Sequence, residues 1–121
     1  MPYIPKPKDI RKKYNIHKDN KTKSSTFTYT RTKYYRKPQW IKLSTAYRML
    51  HPLDELSILE DNIVPSEDTH HIVSPFQQDN ETLVNLLLYD TDNLCAVSKH
   101  MHGTIHTKYD ELTNKQKQFI K

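Results

Sequence analysis

The sequence predicts a small α+β domain that follows an extended basic arm. Three observations predict it: a change of composition near residue 38, apolar residues at helical spacing in several later segments, and short β-branched stretches between those segments. The chain has 121 residues, of which 35% are hydrophobic, so one small core is the most it can bury. We therefore expect an arm over residues 1–38 and a folded domain over residues 39–121.

Charge defines the arm. Residues 1–38 contain 12 Lys and Arg against two Asp, a net charge of +10, whereas the remaining residues contain 7 against 12, a net charge of −5. Prolines and tyrosines are frequent in the arm and aliphatic residues are few, which is typical of an extended segment. Such cations neutralise nucleic-acid phosphates and such rings stack on bases, although a solvated tail that aids solubility is the alternative.

The elements of the domain follow in order, and each is indicated by local residue pattern. We expect a helix near Trp40–Leu50 capped by Ser44, a loop or short strands over 53–65, a strand at Thr69–Val73, a helix from Asp79 or Asn80 to Leu88, a strand at Leu94–Ser98, a helix at Lys99–Tyr109 and a terminal helix opened by a capping box at Thr113. Strands and helices thus alternate without a long apolar run.

Composition also excludes several classes of protein. No segment approaches the roughly 18 apolar residues of a membrane span, and the polar N-terminus does not have the form of a signal peptide, so we expect a cytoplasmic protein that does not bind membranes. The single cysteine, Cys95, cannot form an internal disulfide or a thiolate zinc site. We expect Cys95 to be a small buried hydrophobic residue.

Four of the seven histidines form a pattern that indicates a metal site. His102 and His106 are four apart on a predicted helix and present two imidazoles to one point, a frequent arrangement for a divalent ion. His70 and His71 are successive residues of a predicted strand and face opposite ways, so one can complete a three-nitrogen site while the other acts as a base. Taken singly, each pattern is also compatible with coincidence on a polar surface.

The same residues carry a resemblance to the HNH, or ββα-metal, endonucleases of phages and colicins. Three segments match that pattern in order and spacing: His70-His71-Ile72-Val73-Ser74-Pro75, Asp92-Asn93-Leu94, and His102 nine residues after the asparagine. His106 matches the second helical histidine of the colicin-like branch. The resemblance covers about residues 40–108 and implies a small ββα-metal, treble-clef-like core with flanking helices.

The resemblance also implies a role for each residue. His71 would be the general base, whereas His70, His102 and His106 would bind one divalent metal ion, which is Mg, Mn, Ni or Zn. Asn93 would brace the loop between the strands and hold the base in orientation. The implied activity is hydrolysis of DNA phosphodiester bonds in a host-cell cytoplasm, with phage packaging proteins as a further class of partner.

Seven basic residues are candidates for binding DNA, although a solvated surface explains the last three almost equally well. They are Arg31, Lys33, Arg36 and Lys37 in the arm and Arg48, Lys99 and Lys108 in the domain. Two other functions stay open: a DNA-binding or packaging accessory protein that has no useful turnover, and an RNA-binding protein with a structural zinc. Sequence specificity and oligomeric state do not follow from the sequence.

The chain departs from the family at its usual structural zinc cysteines. The corresponding positions hold Asp54, Ser57, Ser98 and Met101, so no structural zinc is expected. A weak polar link from Asp54 to Ser98 or His100 is one replacement. Apolar packing, for which Leu56, Ile58, Leu94 and Met101 are the candidates, is the simpler one.

Overall fold

The computed structural model describes residues 9–16, 32–78 and 80–120. Helices and a two-stranded sheet alternate along this part of the chain, which confirms the α+β class. The elements are α1 Ile10–Lys13, α2 Pro38–Leu50, α3 Glu55–Ile58, β1 Asp68–His71, α4 Glu81–Tyr89, β2 Leu94–Val97, α5 Lys99–Thr107 and α6 Asn114–Phe119, with single 3₁₀ turns at Pro75–Gln77, Thr91–Asn93 and Tyr109–Glu111. None of the helices in these residues combines the length and the apolar content that spanning a bilayer requires.

The sheet lies at the centre of the fold. Strand β1 pairs antiparallel with β2, in a register that places His70 opposite Cys95 and His71 opposite Leu94. All four residues of β2 are buried, because alternate side chains enter two different apolar clusters. Cys95 belongs to a cluster with Leu56 and Phe119, and Leu94 belongs to a second cluster with aromatic residues of α2.

Part of the predicted arm belongs to this folded core. Ile10 and Ile16 are buried in the first cluster, and Tyr34 is buried in the second, next to a helical turn over residues 32–35. Lys13 and Tyr14 both donate hydrogen bonds to the carboxylate of Asp90. The prediction of an extended arm is therefore wrong for residues 9–16 and 32–37, where a few apolar side chains among the lysines suffice to anchor the chain.

The first long helix begins earlier than predicted and lacks the predicted cap. Pro38 occupies the first turn of α2, where its fixed φ suits a helix and its missing N–H is not needed. Ser44 lies in the middle of α2 instead of capping it, and its hydroxyl oxygen accepts a hydrogen bond from Arg48. The helix ends at Leu50, before His51 and the proline that follows it, as predicted.

The later helices begin as the sequence predicts. Asn80 caps α4 and Ser98 caps α5 by accepting hydrogen bonds from backbone N–H groups of the first turn. Both hydrogen bonds of the predicted capping box at the start of α6 are present, between Thr113 and Gln116. Asp79, the other candidate cap for α4, lies outside the described residues.

Buried carboxylates lie at and next to position 54, which corresponds to a structural zinc cysteine in the HNH endonucleases that the sequence resembles. Asp54 is fully buried and accepts hydrogen bonds from the N–H groups of Leu56 and Ser57, so it caps α3 where a loop or strands were expected. Its second oxygen accepts from the N–H of Ser98 at 2.8 Å, and a carboxylate oxygen of Glu55 accepts from Ala96 at the same distance.

These contacts give hydrogen-bond acceptors to the backbone N–H groups on the edge of β2 that faces away from β1. Backbone N–H groups along a strand point alternately to its two edges, so those of Ala96 and Ser98 would otherwise be buried without acceptors. Glu55 is held in turn by the hydroxyl of Tyr47, which donates to it at 2.8 Å. The polar link from Asp54 to Ser98, the alternative to apolar packing, is therefore present, and it lies beside packing of Leu56, Leu94 and Met101 in the two clusters.

Candidate metal centre

Three imidazoles converge beside the sheet. His70 extends from β1, and His102 and His106 lie one turn apart on α5, with ring centroids 4.8 to 5.4 Å from one another. One ring nitrogen from each residue lies within 4.8 Å of the other two, which is close enough for all three to bind one ion. In the described part of the chain this is the one group of three or more His, Cys, Asp or Glu side chains with that property.

The electrostatics of the cluster keep its buried member in the form that binds metal. Burial, and to a smaller extent the neighbouring rings of His102, His106 and His71, together lower the pKa of His70 to about 3. A neutral imidazole is the ligand that zinc, nickel and related divalent ions accept. His106 is exposed and His102 half-buried, so the point where the rings meet opens toward solvent.

His102 has a carboxylate neighbour that the sequence analysis did not select. Its Nδ1 lies 3.1 Å from Oδ2 of Asp68, the first residue of β1. Asp68 and His70 are two apart on the strand and therefore lie on the same face, which brings both side chains toward α5. This alternation was visible in the sequence, although nothing there placed α5 against that face.

His71 lies on the opposite face of β1 from His70, as the strand geometry predicts. Its Nε2 lies 3.0 Å from the carbonyl oxygen of Leu88, and its ring stacks on Trp40 at a centroid distance of 4.7 Å. Because a carbonyl only accepts, Nε2 carries the proton and Nδ1 keeps a lone pair. Burial lowers the pKa of His71 to about 4, against the opposing effect of the Leu88 hydrogen bond, so the ring is neutral at physiological pH.

Asn93 fixes the backbone that follows His71. It is fully buried, its side-chain oxygen accepts from the N–H of Val73 at 2.8 Å, and its amide nitrogen donates to the carbonyls of Val73 and Leu87 at 3.0 and 2.9 Å. Its own carbonyl accepts from the N–H of Ile72. Asn93 thus joins the end of β1 to the last turn of α4.

Two neighbouring cavities surround these groups. The first has a volume of about 470 Å³, and its lining includes the four histidines His70, His71, His102 and His106 together with Tyr35. The second, of about 340 Å³, is lined by Arg48, Asp68 and Trp40, and it shares His102 and Tyr35 with the first. A shallower cavity of about 580 Å³ beside Tyr14 and Asp90 contains none of the histidines.

The predicted DNA-binding residues lie in different surroundings. Arg48 lines the smaller cavity, where its Nη1 donates to the hydroxyls of Ser44 and Thr69 at 3.1 and 2.9 Å. The remaining basic candidates that the structure describes are exposed: Lys33, Arg36 and Lys37 flank Tyr35, and Lys99 and Lys108 lie at the two ends of α5. Arg31 lies outside the described residues.

Tyr35 and Trp40 are the other site residues that the sequence analysis did not assign to the site. Tyr35 lines both cavities, and its ring lies 5.6 Å from that of Trp40 and 6.2 Å from that of His71. Nothing in the local pattern distinguished either ring from an arm residue or a core residue.

Comparison with known proteins gives no match, since no family model, no curated protein and no solved structure matches this chain.

Proposed function

We propose that this protein is a metal-dependent DNA endonuclease of the HNH, or ββα-metal, type. The observation that supports the proposal is the cavity shared by two kinds of imidazole. His70, His102 and His106 offer three nitrogens to one point, while His71 lines the same cavity with its Nε2 bonded to Leu88. A metal site next to an oriented neutral base is the arrangement that hydrolysis of a phosphodiester needs.

The order of the elements supports the family assignment. The two strands pair antiparallel with α4 between them in the sequence, and β2 is followed directly by α5. The doublet lies on β1, Asn93 immediately before β2, and the last two histidines on α5, an arrangement compatible with a ββα-metal core that carries α4 as an insertion between its strands. The core differs at the zinc positions, where the carboxylates of Asp54 and Glu55 join the same elements.

The proposed chemistry divides the work among the residues. His70, His102 and His106 would hold a divalent cation, which supplies a Lewis acid for the scissile phosphate and its leaving oxygen when bound. Nδ1 of His71 would take the proton of the attacking water, since the hydrogen bond from Nε2 to Leu88 fixes the tautomer and the plane of the ring. Asn93 would hold this geometry by fixing the backbone on either side.

Arg48 and the exposed cations would bind the DNA backbone. Arg48 is held by two hydroxyl groups in a cavity that borders His102, which places its positive charge beside the metal site. Lys33, Arg36 and Lys37 are exposed and lie within two residues of Tyr35 in the sequence, and Tyr35 itself lines both cavities. Contacts of this kind position a duplex without reading its sequence.

A plasmid-nicking assay tests the proposal. The chain should cleave supercoiled DNA with Mg²⁺, Mn²⁺, Ni²⁺ or Zn²⁺, and EDTA should stop cleavage. His71→Ala should lower the cleavage rate by at least 100-fold while DNA affinity and metal affinity stay at parental values, because the base contributes to the chemical step alone. His100→Ala is the matched control, since His100 is exposed on α5 and lies outside the cluster.

A DNA-binding accessory protein without turnover is the second candidate. The exposed basic residues flanking Tyr35 favour it, since they need no metal to bind phosphates. In that case DNA binding would survive EDTA, and no metal would produce nicked plasmid. Parental cleavage by His71→Ala would exclude the assigned base but would leave the metal site open to another mechanism.

A further inference from the structure

Asp68 is a partly exposed carboxylate directed at one member of the imidazole cluster. Its Oδ2 lies 3.1 Å from Nδ1 of His102, and 32% of its side chain is exposed to solvent. Among the described residues it has no other basic neighbour within ion-pair distance. Arg48, which lines the same cavity, bonds to hydroxyl groups instead. The negative charge of Asp68 is therefore available to His102.

The contact determines which nitrogen of His102 can bind a metal. A carboxylate only accepts hydrogen bonds, so Nδ1 of His102 carries the proton and Nε2 keeps the lone pair. We propose that Asp68 is a positioning residue that presents His102 to the ion through Nε2, forming a carboxylate–imidazole–metal relay. The inference rests on the proposed metal site. To that site it adds a carboxylate that holds one of the ligands, and it specifies the nitrogen through which that ligand binds.

Two physical effects give Asp68 this importance. The hydrogen bond fixes the tautomer and the rotation of a ring that is only half-buried and would otherwise sample several orientations. The carboxylate also partly offsets the positive charge that three neutral ligands leave on a divalent ion. Partners of this kind raise metal affinity by about 10- to 100-fold.

The position of Asp68 explains why it acts on His102 and not on His106. Strand β1 begins at Asp68, which pairs with Val97 of β2, one residue before the cap of α5. His102 belongs to the first turns of α5 and His106 to its last turn. The carboxylate therefore reaches the nearer imidazole while His70, two residues along the strand, faces both.

Metal titration of two variants tests the proposal. Asp68→Ala should weaken Zn²⁺ and Co²⁺ binding by about 10- to 100-fold, measured by competition with a chelating dye. Asp68→Asn should recover part of that loss, because the amide oxygen can still accept from Nδ1 although the charge is gone. Asp110→Ala, which removes an exposed carboxylate in a 3₁₀ turn, should bind as the parent does.

The tautomer provides a readout that a purely structural role would not move. Nitrogen NMR of the imidazoles should show His102 protonated at Nδ1 in the parent and in Asp68→Asn, and a mixture of tautomers in Asp68→Ala. Circular dichroism should show all three proteins folded. Equal metal affinity and an unchanged tautomer in Asp68→Ala would overturn the role of Asp68.

The experiment separates this inference from the proposed nuclease activity. Metal binding that depends on Asp68, in a chain that never nicks DNA, would support the relay and overturn the nuclease. Nicking that depends on His71, together with metal binding that Asp68→Ala leaves unchanged, would support the nuclease and overturn the relay. If the parent chain bound neither Zn²⁺ nor Co²⁺, the relay would fail, whereas nicking with Mg²⁺ or Mn²⁺ would still support the nuclease.

Discussion

Nε2 of His71 lies 3.0 Å from the carbonyl oxygen of Leu88, so the proposed base is anchored to the end of a core helix. The last four carbonyls of a helix have no partner within it. In α4 the carbonyl of Leu87 accepts from Asn93, and the carbonyl of Leu88 accepts from His71. Two predicted site residues therefore donate hydrogen bonds to adjacent carbonyls at the end of the same helix. The orientation of His71 thus depends on the packing of α4 in the core.

Replacing Asn93 should damage stability and orientation together. Asn93→Ala leaves two carbonyls and one N–H without their side-chain partner in a fully buried place, and we expect the free energy of unfolding to fall by about 3–5 kcal/mol. Urea denaturation measures the loss. At temperatures where the variant stays folded, metal-dependent nicking should still fall at least tenfold, because the carbonyl next to that of Leu88 is no longer held.

The control for this prediction is another asparagine on the same helix. Asn85 donates a single, exposed hydrogen bond to Glu81 within α4, so Asn85→Ala should change stability by no more than about 0.5 kcal/mol. An equal effect of the two substitutions would show that Asn93 has no special place in the core.

The metal-free protein should lose stability in mild acid. In the unfolded chain a histidine takes up a proton near pH 6.5, whereas burial lowers the pKa of His70 to about 3 and that of His71 to about 4 in the folded chain. The unfolded state therefore binds more protons below pH 6.5, and stability falls as the pH falls. Between pH 7 and pH 5 the two residues together should cost about 4 kcal/mol.

Urea denaturation in EDTA at several pH values measures this dependence. Loading with Zn²⁺ should raise stability at pH 7, and the gain should shrink as protons compete for the imidazoles. The variant His70→Gln should flatten the metal-free pH profile by about half. A profile that is level from pH 7 to pH 5 would contradict the burial of both rings.

The sequence predicts the parts of this fold that depend on local pattern. The histidine spacing on α5, the alternation of β1 and the capping box at Thr113 each follow from periodicity or from a short motif, and the structure contains all three. Nothing local predicts that Ile10 reaches the core, because one isoleucine among lysines has no periodicity.

The buried acids show the other limit of sequence analysis. Asp54 and Glu55 have the composition of a surface turn, and only the tertiary fold brings the N–H groups of β2 to them. Burial of a carboxylate costs free energy unless several donors surround it, so no hydropathy pattern can indicate it. Asp68 is an intermediate case. The alternation of side chains along β1 predicts that Asp68 shares a face with His70, but it does not predict that α5 covers that face.

Asp54 should be as important for folding as a structural metal would be. Asp54→Ala removes acceptors for three backbone N–H groups, of Leu56, Ser57 and Ser98, and we expect a loss of about 3–5 kcal/mol in the free energy of unfolding. EDTA should not enlarge the effect, since both oxygens of Asp54 already accept from backbone N–H groups. Asp110→Ala is the exposed control, and a comparable loss there would contradict the role of Asp54.

The cations beside Tyr35 should determine part of the salt dependence of DNA binding. Truncation of the whole basic segment is a poor test, because Ile10, Ile16 and Tyr34 belong to the core. The double variant Lys33→Gln, Lys37→Gln removes two exposed charges, and with them the contact of the Lys37 ammonium, 4.6 Å from the ring centroid of Tyr34. Each phosphate contact contributes about 0.9 to the slope of log K against log salt concentration, so the slope should become shallower by about 1.8.

The matched control removes two exposed lysines elsewhere, Lys12 on α1 and Lys115 on α6. Fluorescence anisotropy with a labelled duplex in EDTA, at salt concentrations from 50 to about 200 mM, gives the slope for each protein without cleavage. We expect the control pair to keep the parental slope, because neither lysine flanks Tyr35. If both pairs flatten the slope equally, the attraction comes from net charge and not from a DNA path beside Tyr35.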